Sequence, residues 1–292
     1  MNFKFNAASF PDQGKAVRGL KRSFFRTSVT ASMICFHLLA VTQPYAASVK
    51  WTAGSGANFT WADGGNWDLG VPTGLDDVLF QTPIPNPGSL LADPSVISLA
   101  SGSFVANSLS FLENYSLSGG SLQLTTGSIR VGLAHEVTLN SLIDGNSGLT
   151  LIGGGTVRLS SASNSYTGAT TLSNGTLIIT DTDQLGSDSS AIVISVNNPV
   201  AGSVSTRGYG GGSLMLDGSG ADITLTRDLS LQGQGPIGDR GAAVLSFGNN
   251  TLTGAINAAV PNSGTVGINT RLTSANGTLT LSGSLNVNGT AG

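Results

Sequence analysis

Residues 153–186 read Gly153-Gly-Gly155-Thr156-Val-Arg-Leu159-Ser-Ser-Ala-Ser-Asn164-Ser-Tyr166-Thr167-Gly168-Ala-Thr-Thr171-Leu-Ser-Asn-Gly175-Thr176-Leu177-Ile-Ile-Thr-Asp-Thr-Asp-Gln-Leu185-Gly186. Val157 and Leu159 flank a polar residue, and this alternation puts aliphatic side chains on one face of a short strand. The token Gly155-Thr156-Val157 returns as Gly175-Thr176-Leu177, and later as Gly277-Thr278-Leu279. The first two copies lie about twenty residues apart, which suits one coil of a β-helix.

The same alternation extends outward in both directions. Upstream it recurs as Leu122-Gln-Leu124, Ile129-Arg-Val131, Val137-Thr-Leu139 and Leu149-Thr-Leu151. Downstream it recurs as Leu214-Met-Leu216, Ile223-Thr-Leu225, Leu229-Ser-Leu231, Leu279-Thr-Leu281 and Leu285-Asn-Val287. Gly, Asn and Ser separate the segments, and no stretch beyond residue 47 sustains a helical period. Asn174-Gly175, Asn276-Gly277 and Asn288-Gly289 supply the positive φ of a sharp corner, but the same dipeptide marks antiparallel hairpins. The turns alone therefore leave solenoid and sandwich both open.

Composition agrees with an all-β chain. Gly accounts for 41 of 292 residues and charged residues for only 10%, which disfavours a helical globule. A mean hydropathy of +0.17, with the alternating aliphatics, gives enough apolar surface to argue against disorder. One coil cannot fold by itself, because ordering its backbone costs more than its few aliphatics return. Stacking the next coil adds ladder hydrogen bonds and buries the open face, so successive repeats are required.

The first 47 residues read as an extended signal peptide, the one helical element expected. Arg18, Lys21, Arg22 and Arg26 precede an apolar stretch at 29–41, and Ala46 and Ala47 offer small residues for cleavage. The apolar stretch is too short to span a bilayer comfortably. Cys35 lies within it, so the exported chain would carry no cysteine and would rely on ladders and core rather than disulfides. Only seven basic residues then remain against fifteen acidic ones, which disfavours nucleic acid as a partner.

All three tryptophans fall in residues 48–82, with Trp51, Trp61, Asn66, Trp67, Pro72, Asp77 and Phe80 as its marked positions. This segment reads as a cap over the open apolar end of the coils, with sugar stacking as the competing role. Prolines 83, 85, 87 and 94 make its neighbour an extended connector. The repeat region then occupies 83–292.

The quoted stretch resembles the autotransporter-associated β-strand repeat of bacterial autotransporter passengers. The motif positions are Gly155, Thr156, Leu159, Asn164, Tyr166, Thr167, Gly168, Thr171, Gly175, Thr176, Leu177, Leu185 and Gly186. Weaker echoes run through residues 227–256 and 276–283. The resemblance implies a right-handed parallel β-helix, exported by secretion machinery through a C-terminal outer-membrane barrel and exposed at the cell surface or outside the cell. No series of alternating aromatic strands fit for a barrel precedes Gly292, so either the chain continues or export takes another route. A host-surface or polysaccharide ligand is the partner such a passenger would take.

The candidate chemistry is thin. Asp181-Thr-Asp183-Gln-Leu185-Gly186 starts like a calcium loop, but Leu185 and Ile192 stand where ligands are needed, so it reads as a solvated turn. Gly218-Ser-Gly220-Ala-Asp222 resembles half a calcium-binding nonapeptide with no tandem copy. His135-Glu136 lacks the second histidine of a zinc protease, and no Gly-x-Ser-x-Gly elbow occurs. Glu113 and Glu136 are the only glutamates. A polysaccharide-cleaving or polysaccharide-binding β-helix is the enzymatic alternative, yet no two acids can be given acid and base roles. The expectation is therefore a non-enzymatic adhesion or display protein without catalytic residues, cofactor or metal.

Overall fold

A computed structural model describes residues 47–56, 58–81, 95–187, 189–195, 211–232, 235, 242–259 and 270–288. The leader up to Ala46 and the proline-rich connector lie outside these residues. No helix among the described residues is long and apolar enough to cross a membrane.

The strands wind as the coils of a three-sided parallel β-helix. β1 (Ser48–Lys50) and β2 (Asp77–Phe80) begin one side, and β3 (Ser95–Phe111) and β4 (Tyr115–Val131) each bend through all three sides. The pairing of β3 with β4 shifts register at Ser98/Ala100, Ala100/Ser103 and Ala106/Ser108, where the chain turns its corners. The following coils carry shorter strands, three in the first and two in each of the next two. They are β5 (Glu136–Leu139), β6 (Leu142–Asp144) and β7 (Leu149–Ile152), then β8 (Thr156–Leu159) and β9 (Thr170–Leu172), then β10 (Gly175–Ile179) and β11 (Ile192–Ile194). Three full triplets complete the described stack. They are β12 (Gly212–Asp217), β13 (Thr224–Leu225) and β14 (Leu229–Leu231); β15 (Val244–Phe247), β16 (Asn250–Leu252) and β17 (Ile256–Ala259); and β18 (Leu272–Asn276), β19 (Leu279–Leu281) and β20 (Leu285–Asn288).

Every strand pair is parallel and, apart from the shifts between β3 and β4 and one between β15 and β18 at Ser246/Phe247, in register, so inward side chains sit on their counterparts one coil away. On the first side Val49, Val78, Leu109, Ile129, Leu151, Leu172, Ile194, Leu231 and Ala258 form one such column, nearly all of it inaccessible to solvent. On the second, Val137, Val157, Leu177, Leu214 and Val244 form another. The core is therefore the inside of the tube. Parallel ladders separated by about 4.8 Å make it continuous, and truncating one rung to Ala exposes a cavity to two neighbours at a cost of about 2–5 kcal/mol.

The segments expected as strands from Leu122 to Val287 are strands, except that Ile223 precedes the two-residue β13, and the all-β parallel solenoid is the fold observed. The coil length is less uniform than the token spacing suggests. Through the middle coils, stacked partners lie 20 to 22 residues apart, whereas later ones lie farther apart, 37 from Leu177 to Leu214 and 27 to 30 in the coils after that. The connections β11 to β12, β14 to β15 and β17 to β18 all leave the first side and re-enter on the second. Length added at one corner leaves the ladders in register, and closing a longer loop costs little extra.

Candidate functional site: the spliced coil and the tryptophan end

The third side of the helix has no strand in the two coils after β6, and side chains replace the missing ladder there. Asn164, 4% exposed, accepts the Ile143 N–H at 2.8 Å from the coil before and donates to the Gln184 carbonyl at 2.7 Å in the coil after. A carboxamide can do both because it carries an acceptor and donors on one planar group. Asn164 thus splices three coils.

The partners of that splice are themselves fixed. Asp181 caps a 3₁₀ turn at Thr182–Leu185 by accepting from the Asp183 N–H at 3.0 Å, and the Gln184 side-chain oxygen accepts the Asp181 N–H at 3.4 Å, completing a capping box, as well as the Thr180 N–H at 2.8 Å. Leu185 enters the core. The calcium-loop echo is accordingly a turn whose acid caps backbone. Gly186 follows with φ +80, and a Cβ on it would collide with the Tyr166 carbonyl, so only glycine fits.

Tyr166 is buried, and its hydroxyl meets Thr170 Oγ1 at 2.8 Å. Thr170 is the polar member of an inward column between Leu149 and Ile192, and the phenol satisfies it. Burial pushes the Tyr166 pKa up to about 12, against smaller lowering influences from Thr170 and Arg227. Thr167 N–H donates to the Gly145 carbonyl at 2.9 Å, Gly168 follows with positive φ, and Thr171 faces outward. Gly155 precedes β8, Thr156 and Leu159 lie on it, and Thr176 and Leu177 lie on β10 behind Gly175. Thr176 N–H bonds the Gly155 carbonyl at 3.0 Å, stacking one copy of the token on the other.

Two further buried asparagines also satisfy backbone groups, Asn250 between two coils and Asn66 within the segment around it. Asn250 accepts the Ile223 N–H at 2.8 Å and donates to Leu216 O, Ser246 Oγ and Phe247 O. Asn66 accepts the Ser55 N–H at 3.1 Å and donates to Asn58 O and Thr60 O. Sequence reasoning missed Asn250 as a site residue and missed Gln184 and Thr170 entirely. The alternation of Leu252 after Asn250 was the one available signal, since it sets Asn250 on the inward face.

At the other end of the described coils the aromatic residues converge. Trp67 lies edge-on to Trp51 at 4.8 Å and to Trp61 at 4.9 Å between ring centroids, and Phe80 stacks on Phe111 at 4.6 Å. Trp67 Nε1 donates to the Trp61 carbonyl at 2.8 Å. All three indoles are buried, so none offers a free ring face to a sugar. Residues 66–68 run antiparallel to the edge of β1 that β2 leaves open, through Thr52 N–H to Asn66 O and Asp68 N–H to Lys50 O. Phe59 and Trp61 bond both sides of Ser98 at the start of β3. Pro72 is buried, and Asp77 accepts from Asn107 and Ser108 at 2.8 and 2.6 Å. Ala47, exposed, accepts the Asp77 N–H at 2.7 Å; Ala46 lies outside the described residues.

The remaining charges lie on the outside. Arg158 reaches Glu136 at 3.4 Å and, across β10, Asp217 at 3.5 Å. Hydrogen bonding from Ser219 holds the Asp217 carboxyl below its usual range, with Arg158 adding to the effect. This places the residue before the nonapeptide echo in a hydrogen-bonded turn. His135 lies 3.7 Å from Glu113. Among the described residues no three His, Cys, Asp or Glu side chains gather as a metal ion would need. Among the described residues the arrangement joins coils and converges no set of reactive groups on one point.

Residues 149–179 match the passenger-associated-transport-repeat family, the span from β7 through β10 that Asn164 and Tyr166 stabilise. The chain is also 39% identical over 89 residues to an adhesin autotransporter, BmaC, of Brucella suis biovar 1 (strain 1330). That segment is 28% of this chain and 3% of the relative, so the chain corresponds to a small part of the relative's length. No solved structure matches. Both matches support export to the cell surface or the extracellular space. The likeness first visible in residues 153–186 thus extends to a transport-repeat family and an adhesin autotransporter: the chain is similar to autotransporter passengers that carry strand repeats.

Proposed function

We propose that this chain is a non-enzymatic passenger of the autotransporter type that acts in adhesion and display and whose repeat supports its own export. The observation that carries the reading is the position of the transport repeat at 149–179, in register within an unbroken parallel ladder. Each coil added outside the cell buries the open face of the one before it, so folding would draw the chain outward without ATP. A short-side-chain column on the first side, Ser108, Ser128, Thr150 and Thr171, continued after Val193 by Ser230 and Asn257, offers a rigid, mostly polar surface for contact. The tryptophan end acts as the cap that keeps the first rung from pairing with other chains.

Fusing the chain to an outer-membrane barrel in a non-adherent bacterium tests both halves. Surface exposure should fall when one coil is removed in register, Gly155 being joined to Thr176. Cells displaying the intact chain should attach to host cells or matrix proteins more than cells displaying the barrel alone. No gain in attachment would sink the adhesion reading, and new reducing ends from a polysaccharide panel would replace it with an enzymatic one.

A further inference from the structure

Asn174-Gly175-Thr176-Leu177 and Asn276-Gly277-Thr278-Leu279 are the same tetrapeptide in two places, yet the fold treats them differently. At the first, the Gly175 N–H donates to the Oδ1 of Asn174, its own neighbour, at 2.9 Å. The side chain is thereby curled back over the peptide nitrogen that follows it. The position is confined: Asn174 is half-buried, Gly175 is buried with φ +90, and a Cβ on Gly154 of the preceding coil would lie 3.5 Å from Asn174 Nδ2. A Cβ on Gly175 would collide with the Gly155 carbonyl, so this corner requires the one residue that leaves its amide nitrogen unshielded. No such contact between Asn276 and Gly277 is present among the described residues.

We infer that Asn174 is a site of spontaneous, structure-directed deamidation within the repeat coil. Base removes the proton from the Gly175 amide, and the nitrogen bonds to Cγ of Asn174. The Cγ–Nδ2 bond then breaks, and the departing nitrogen takes a proton from water and leaves as ammonia. Water opens the resulting five-membered imide at either carbonyl, giving Asp or isoaspartate; nothing is oxidised or reduced. Holding nucleophile and electrophile together is what the fold contributes, since the flexible chain must find that geometry by chance. The product is a carboxylate over Gly154 and, as isoaspartate, one extra backbone carbon immediately before β10, all five of whose residues are buried. A long-lived surface protein would accumulate this change in the coil that matches the transport repeat.

The identical neighbours make Asn276 an internal control. The folded chain is held in mildly alkaline buffer, sampled over days, digested and sequenced by mass spectrometry. Asn174 should gain one mass unit at least about fivefold faster than Asn276, with isoaspartate detected by enzymatic methyl transfer. In concentrated urea the two rates should converge. Asn174→Gln, whose attack would need a six-membered ring, should abolish the signal at 174 and leave Asn276 unchanged. Equal rates in the folded chain, or an Asn174 slower than Asn276 there, would overturn the inference.

Discussion

The tryptophan end and the repeat coil solve the same problem with different chemistry. In the repeat coil, β8 has β5 on one edge and β10 on the other, and aliphatic residues stack on near-copies of themselves. At the tryptophan end, β1 has a parallel neighbour only in β2, and the chain supplies the other edge from itself by turning residues 66–68 back antiparallel. Three indoles and Phe80 fill the space that the aliphatics of a preceding coil would fill. An interior coil can therefore be nearly interchangeable with its neighbours, whereas a closed end needs residues that occur once.

The largest break in this comparison is expected from Trp61→Ala. The ring is fully buried and touches Trp67, Phe80 and Phe104, so truncation should cost about 3–5 kcal/mol, read as a lowered urea midpoint. Trp61 Nε1 has no hydrogen-bond partner among the described residues. Trp61→Phe should consequently be milder than Trp67→Phe, which deletes the bond to the Trp61 carbonyl. If Trp61→Ala shifts the midpoint no more than an exposed substitution does, the end is not closed by these rings.

Next is Asn164→Ala, which leaves the Ile143 N–H and the Gln184 carbonyl buried without partners. Two such orphans amount to about 2–6 kcal/mol. Hydrogen exchange should show the loss at Ile143 and its neighbours, with the amides bonded around Asn66 still protected. Uniform loss at both places would mean that the two regions unfold as one unit and are not separable.

An alkaline titration sharpens the contrast further. The Tyr166 pKa stands at about 12 in the folded chain against 10.0 for the free group. A raised pKa contributes stability that is intact below pH 10 and is lost as pH rises toward 12. Over that window the loss is on the order of 2 kcal/mol. Tyr115 is shifted in the same direction by burial and, secondarily, by Glu113, so Tyr166→Phe should remove only part of the alkaline loss. If the pH dependence of stability is identical in wild type and Tyr166→Phe, the phenol is not the titrating group.

How much of this was legible depended on which neighbour a residue answers to. Val137-Thr-Leu139 or Leu229-Ser-Leu231 reports its own face, because a strand alternates locally and the rung above merely repeats it. The long bent strands were harder. Around Ser98 and Ala100 the chain turns a corner with Ala100 at φ 49, a conformation that alanine composition gives no reason to expect. The splices were harder still. Asn164 owes its role to an N–H 21 residues before it and a carbonyl 20 residues after it, and Asn250 reaches back 34 residues to Leu216. Local pattern carries no information about such partners. Asn164 was found through its resemblance to a known repeat, and Asn250, in a degenerate copy, was not.

The smallest effect belongs to Arg158, and it separates two reasons for a charge on the outside of a solenoid. Its guanidinium meets Glu136 on one side and Asp217 on the other, crossing β10 where outward-facing Ile178 is only 6% exposed. Exposed ion pairs contribute little, but a long aliphatic stem laid over an apolar side chain can contribute through burial. Arg158→Ala should cost about 1 kcal/mol or less. If charge is responsible, the difference from wild type should shrink in high salt and Arg158→Met should be as unstable as Arg158→Ala. If cover is responsible, salt should change little and Arg158→Met should recover most of the loss. The geometry favours cover, because both contacts exceed 3.3 Å while Ile178 is shielded on a face that otherwise meets water. A salt-sensitive loss unrelieved by Met would reverse that assignment and make the strap electrostatic.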